Sequence, residues 1–165
     1  MKILRVEAVP LSIPCRHGAE GWTLGTGGWK ALDFCLVRVD TDAGITGWGD
    51  AFAYVSPRTN LTAVEEMIAP QGRGLEVPGA AGIPAFMEQI QRNLHLFGRY
   101  GITMFAISAL DIALWDLAAR VKGVPLHRLI GEARRTRIPA YASLLRIGNP
   151  DLIAEPEGVK GLVAH

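Results

Sequence analysis

Two aspartates stand inside one of the most apolar stretches of this 165-residue chain, "SALDIALWD" at residues 108–116. Paired carboxylates can exchange protons with a substrate or hold a divalent cation, and they can equally be structural. On a helix, at about 100° per residue, Asp111 and Asp116 end up about 140° apart around the axis. They point to different faces and cannot converge on one metal or one substrate atom. Asp116 has Arg120 four residues on, a natural ion pair. Asp111 shares a stripe with Ser108 and Trp115. A carboxylate there needs a partner, and it is expected to tie the helix to neighbouring backbone or to a base. The geometry makes both acids structural.

Other candidate chemistry is sparse. The histidines His17, His95, His127 and His165 are scattered, with no H-E-x-x-H or H-x-x-E-H spacing, so none is expected to ligate a metal. No G-x-S-x-G elbow is present. Asp151 and Glu155 lie at the start of an expected helix, where its dipole favours acids. The Gly-rich stretch "GWTLGTGGWK" has neither the order of a phosphate loop nor a complete G-x-G-x-x-G. Its aromatic and apolar residues, Trp22, Leu24 and Trp29, suit a flap closing over a ligand, and a plain connection suits the composition equally well. Cys15 and Cys35 have no CxxC partner. In an antiparallel pair of strands they would not face each other, so both are expected as free thiols in a reducing cytoplasm.

The elements that must position these residues follow a simple order. "KILRVEAVPLSIP" reads as a long strand closed by Pro14, "ALDFCLVRVDT" as a second, and "DAG" as a turn into a third, "ITGWGDAFAY". From about Ser56 the period becomes helical. Ser56 before Pro57 marks a helix start. A second helix carries Ile83, Phe86, Met87, Ile90, Leu94 and Leu96 and stops at Gly98. A third, from Ile102 to about Lys122, is apolar almost all round and ends at Gly123 and Pro125. "RIPAYASLL" and "NPDLIAE" then read as a strand and the start of a helix, with Asn149 as N-cap. The expected fold class is α+β: a three-stranded antiparallel meander, then a three-helix bundle, then the first unit of a (β/α) barrel.

Composition narrows the function. About half the residues are apolar (49%), a fifth are charged (20%) and the net charge is +1. No basic stripe marks a nucleic acid or an anionic membrane as partner. The first ten residues lack an apolar core of the kind a signal peptide needs. Asp111 and Asp116 argue against a membrane span through the long helix. A cytoplasmic location is expected.

Residues 106–131, "AISALDIALWDLAARVKGVPLHRLIG", carry a more specific pattern. They resemble the first signature of the mandelate racemase/muconate lactonizing enzyme family, within the enolase superfamily. The match includes Ala106, Ser108, Asp111, Ala113, Leu114, Asp116, Ala119, Arg120, Pro125, Leu129 and Gly131. "GITGWGDAF" and "LFGRYGITMFA" are similar to the family's third strand and to the lead into its long helix. The resemblance implies that residues 1–131 form an N-terminal capping domain and that residues 132–165 begin a barrel. It further implies Mg²⁺-assisted removal of the proton α to a carboxylate, in a racemase, dehydratase or cycloisomerase.

A barrel of this kind takes typically ~250 residues. The metal-binding acids and the base, which the family carries on later barrel strands, match nothing in this sequence, so no catalytic residue and no metal ligand is assigned. The resemblance assigns only the cap loops to a carboxylate substrate: Trp22, Leu24 and Trp29 in the flap, Phe52 and Tyr54 after the third strand, and Ser143 near the end of the first barrel strand. The expected function is the specificity portion of a racemase or dehydratase acting on a hydroxy acid or acid sugar. The alternative is a non-catalytic module that binds a partner or oligomerises. A homo-oligomer is expected on either reading.

Overall fold

The computed structural model describes residues 1–14, 31–53, 56–131, 135 and 137–140. By its internal contacts the chain divides into two units, Met1–Ser12 with Asp33–Arg134, and Ile13–Leu32 with Arg135–His165. The second unit has few described residues, and residues 137–140 lie in no strand or helix. The first contains the elements that follow, apart from residues 13–14 of the first strand and 31–32 of the second.

Three strands form one sheet in the order β1 (Ile3–Pro14), β2 (Ala31–Thr41) and β3 (Thr46–Ala51). β2 and β3 are antiparallel, in a register running from Cys35 opposite Ala51 to Asp40 opposite Thr46. The turn between them closes with the Gly44 N–H donating to the Thr41 carbonyl at 3.1 Å. Gly44 sits at φ 75°, a left-handed conformation that glycine adopts without penalty.

Period-two alternation sends one face of the sheet inward. Val6, Ala8, Cys35, Val37, Val39 and Ala51 are all buried. Ile3 is buried too, three residues before Val6, so the alternation slips by one between them. The outward face carries an ion-pair ladder: Arg5 to Glu7 at 3.2 Å, Arg5 to Asp40 at 3.0 Å, and Arg38 to Asp40 at 2.8 Å. The Arg38 guanidinium also lies over the Trp48 ring, 5.8 Å from its centroid, so the cation meets the negative face of the indole.

Helices cover the inward face. α1 (Pro57–Ala63) begins with proline at its first position, as the sequence predicts. Ser56 is its N-cap, but its side chain makes no cap bond. Its carbonyl instead accepts the N–H groups of Thr59 and Asn60. A π-helical segment, Val64–Ile68, leads into α2 (Ala69–Gly72). α3 (Ile83–Asn93) buries Ile83, Met87 and Ile90. It ends earlier than the apolar spacing predicts. Its last turn tightens into a 3₁₀ turn, His95–Phe97, which breaks the phase of the stripe and leaves Leu96 83% exposed.

α4 (Gly101–Lys122) is the core helix, and α5 (Leu126–Ile130) follows its left-handed stop at Gly123. α4 is long and apolar enough to cross a membrane by length and composition, yet half of that stretch is buried inside the protein. Burying each of its leucines, Leu110, Leu114 and Leu117, contributes about 1.5–3 kcal/mol.

The tightest packing in the fold lies between α4 and β3. A Cβ added at Gly49 would overlap the Ala109 carbonyl oxygen, and one at Gly47 would overlap that of Ala113. The added Cβ at Gly47 would also lie 2.8 Å from the Leu117 Cβ. Two glycines on the strand, facing alanines four apart on the helix, bring backbone against backbone. That close approach fixes where the end of β3 stands against α4.

Candidate functional site

The site begins where β3 stops. Phe52 is the first residue past the strand, and among the predicted site residues it alone is described. Trp22, Leu24, Trp29, Tyr54 and Ser143 lie outside the described residues. Phe52 is 56% exposed, an unusual place for a phenyl ring in a folded domain. Phe105 on α4 meets it edge to face, with centroids 5.2 Å apart and the rings at 64°.

Its backbone is held from the other side by a residue that sequence reasoning missed. Asn60, on the inner face of α1, is fully buried, and its Nδ2 donates to the Phe52 carbonyl at 2.7 Å. Its Oδ1 is buried as well and has no hydrogen-bond partner among the described residues. The one available clue was an amide among apolar positions, on the face that also carries Ala63 and Val64. The Ser56 N–H, donating to the Ala53 carbonyl at 3.1 Å, closes the same turn. Phe52 is thus held from α1 through its carbonyl and from α4 through its ring.

The acids have structural work. The Asp116 carboxylate accepts the Arg120 guanidinium at 2.7 Å, as the spacing predicts. The same oxygen accepts the backbone N–H of Trp48 at 2.9 Å, a contact that the helix alone did not reveal. Asp116, rather than Asp111, therefore ties the helix to neighbouring backbone. Asp111 instead accepts a side-chain hydrogen bond from Trp115, one turn along its own helix, which corrects the expected anchor. Burial raises the Asp111 carboxyl above the usual range, and the Trp115 bond offsets only part of this.

Asp40 titrates the other way. Burial alone would raise its carboxyl, but hydrogen bonds from Thr46, Arg38 and Arg5, with the Arg38 charge, together outweigh burial and lower it. At Asp50 burial raises the carboxyl, and a backbone bond from Cys35 opposes the shift. Cys35 is a free, buried thiol raised by burial first and then by the charges of Asp50 and Glu65. A thiol held neutral in this way is a poor nucleophile. Cys15 lies outside the described residues.

These observations bear on magnesium. Among the described residues no three His, Cys, Asp or Glu side chains converge on a common point. Asp40, Asp111 and Asp116 spend their oxygens on Arg, Thr, Trp and backbone donors. The described residues do not fit a Mg²⁺ site.

An α+β domain of this topology, with a meander, a glycine-lined strand on a long apolar helix and a pinned loop at the strand's end, has the enolase-type capping architecture. The chain belongs to the mandelate racemase/muconate lactonizing enzyme family, whose N-terminal domain it matches over residues 9–131. It is 32% identical over 112 residues to a D-mannonate dehydratase of Novosphingobium aromaticivorans, covering 66% of this chain and 26% of that protein. A hydrophobic dipeptide epimerase of Roseobacter litoralis is 36% identical over 115 residues, covering 70% and 30% respectively.

Solved structures agree. An enolase superfamily member from Polaromonas sp. JS666 matches with TM-score 0.76 and 29% identity, over 99% of this chain and 42% of that one. A mandelate racemase/muconate lactonizing protein from Paracoccus denitrificans, complexed with magnesium, matches with TM-score 0.65 and 31% identity, over 84% and 32%. The chain spans between about a quarter and a third of the length of these curated relatives.

Proposed function

We propose that this domain serves as the specificity cap of an enzyme that removes the proton α to a carboxylate, in a racemase or dehydratase acting on a hydroxy acid or acid sugar. The reading is supported by relatives similar over this domain, a D-mannonate dehydratase and a hydrophobic dipeptide epimerase. The observation that carries the reading is Phe52: an outward phenyl ring whose carbonyl is fixed by a buried amide and whose edge is fixed by Phe105. A ring held in place costs little further entropy when a ligand packs on it, and it excludes water from the carbons it covers.

On this reading the cap positions and desolvates. The acids that hold the metal and the base that takes the proton belong to the barrel part of the enzyme. Domains 1–131 and 132–165 are the cap and the beginning of that barrel.

A chimera tests the proposal. Residues 1–131 replace the equivalent cap of the Novosphingobium D-mannonate dehydratase, and a panel of acid sugars and hydroxy acids is assayed. The expected result is a changed substrate ranking, with Phe52→Ala raising KM several-fold while kcat changes little. A folded, active chimera with the parent's ranking, indifferent to Phe52→Ala, would overturn the reading. The 165-residue chain by itself, given Mg²⁺ and the same panel, is expected to show no α-proton exchange. Exchange abolished by EDTA would place the catalytic centre within the chain.

A further inference from the structure

Position 60 calls for an apolar side chain. It lies on the inner face of α1, and Ala63 and Val64, three and four residues on, are buried with it. Asn60 stands there fully buried. A buried amide must satisfy both a donor and an acceptor, and this one satisfies half. Its Nδ2 donates to the Phe52 carbonyl at 2.7 Å, while its Oδ1, equally buried, meets no hydrogen-bond partner among the described residues. A buried acceptor without a partner costs free energy that an apolar side chain would not. Asparagine is therefore a poor choice for holding α1 to the core. What it supplies, and an apolar side chain cannot, is a donor aimed eight residues back, at the first residue past β3.

That donor stands on a supported base. The Asn60 N–H donates to the Ser56 carbonyl at 3.5 Å, and the Ser56 N–H donates to the Ala53 carbonyl at 3.1 Å. Phe52 is then held at two points of different kind, its carbonyl by Asn60 on α1 and its ring edge by Phe105 on α4. One contact alone leaves a residue free to swing about it. Two contacts from different helices set both the peptide plane and the direction of the ring. An edge-to-face pair at 64° depends on that direction, so a peptide plane free to turn would carry the Phe52 ring off its seat.

We propose that Asn60 is a positioning residue: through its bond to the Phe52 carbonyl it fixes the direction of the phenyl ring, and thereby which acid substrates pack against that ring. The substrate half of the proposal rests on the cap reading. The ring half does not, since the direction of the ring is a property of this chain alone.

Two measurements keep the halves apart. On the intact chain with isotope-labelled phenylalanine, NMR should show cross-relaxation between the Phe52 and Phe105 rings, whose centroids are 5.2 Å apart. Asn60→Ala should lose it, with a thermal melt establishing that the variant is folded. If Asn60→Ala fails to fold, Asn60→Thr removes the same donor at nearly the same volume, its shorter hydroxyl bonding within its own helix. A folded variant that keeps the ring contact overturns the proposal, whatever the substrate does. In the chimera with the D-mannonate dehydratase, Asn60→Ala should raise KM about threefold or more at nearly constant kcat, and should add nothing once Phe52→Ala is present. A merely structural role would not fall silent in the double variant. Additive effects on KM overturn the proposal, and so does a KM that responds to Phe52→Ala but not to Asn60→Ala. A KM indifferent to Phe52→Ala is a different failure: it overturns the cap reading and the substrate half together, and the ring contact in the intact chain still decides the other half.

Discussion

At the β3 edge of the sheet, the Trp48 N–H ends on the Asp116 carboxylate, and Gly47 and Gly49 press the strand onto α4. At the β1 edge, among the described residues, residues 1–3 are bonded to residues 74–77, and beyond them stand a groove and a pair of opposite charges. At the first edge the Trp48 N–H meets a carboxylate, and the inward face of the strand lies against the α4 backbone. At the second, Val6 and Ala8 are buried, and Arg5 and Glu7 stand outward beside them. A strand edge needs its N–H groups satisfied or protected. The β3 edge leads directly to Phe52.

Substitutions on the two edges should separate sharply in energy. Gly49→Ala puts a Cβ into the Ala109 carbonyl, which neither the strand nor the helix can yield without losing the seam. A loss of about 3 kcal/mol or more is expected, or failure to fold cooperatively, read by urea denaturation. A fully folded variant within about 1 kcal/mol of the parent would mean the seam is looser than described.

Asp116→Ala comes next. It orphans the Trp48 N–H and removes a charged acceptor, a loss of about 1.5–3 kcal/mol. Arg120→Ala breaks only the exposed half of the same arrangement and should cost about 1 kcal/mol or less. Equal losses from the two substitutions would show that the ion pair, and not the strand contact, carries the effect.

The outward ladder shows itself through pH. Asp40 has a folded-state pKa below its unfolded one, so its contribution is fully present above the unfolded carboxyl range, near pH 4. It is lost as pH falls through the depressed native value. In acid titrations of stability below about pH 4, Asp40→Asn should flatten the decline relative to the parent. An unchanged acid limb would assign the decline to other carboxylates.

The smallest effect belongs to the outward face of β1. Glu7→Ala removes a pair whose side chains are 43% and 38% exposed, and monomer stability should change by about 0.5 kcal/mol or less. A larger loss would mean that β1 depends on this pair for its own fold.

Much of this was legible in the sequence because it is local. Period two gave the meander, Gly44 its turn, Pro57 the start of α1, and the unbroken apolar run the core helix. The 140° between Asp111 and Asp116 shows that they cannot share one ligand, but not that Asp116 is the one that meets the Trp48 N–H. What stayed hidden joins residues far apart in the chain. Trp48 and Asp116 are separated by 68 positions, and no spacing rule reaches that far. The bond from Asn60 to Phe52 is shorter in sequence, yet it depends on a bend after β3 that only the packed helices impose. Leu96 misled for a different reason: the stripe it extended was sound, but the helix tightened before reaching it.

The π-helical segment at Val64–Ile68 has a consequence for chain length. Buried positions Asn60, Val64, Ile68 and Gly72 recur every four residues. On an ideal α-helix such a stripe would wind off its target by about 40° at each step. One wide turn in the middle unwinds part of that drift, acting as a vernier between a four-residue repeat and a 3.6-residue screw. Straightening 64–68 into a regular α-helix with no residue removed would rotate all that follows by about 90°. Gly72 would then no longer lie beneath Val6, where a Cβ would stand 3.3 Å from its methyl. The wide turn absorbs one residue of chain while keeping the two ends of the helix in phase with the sheet beneath.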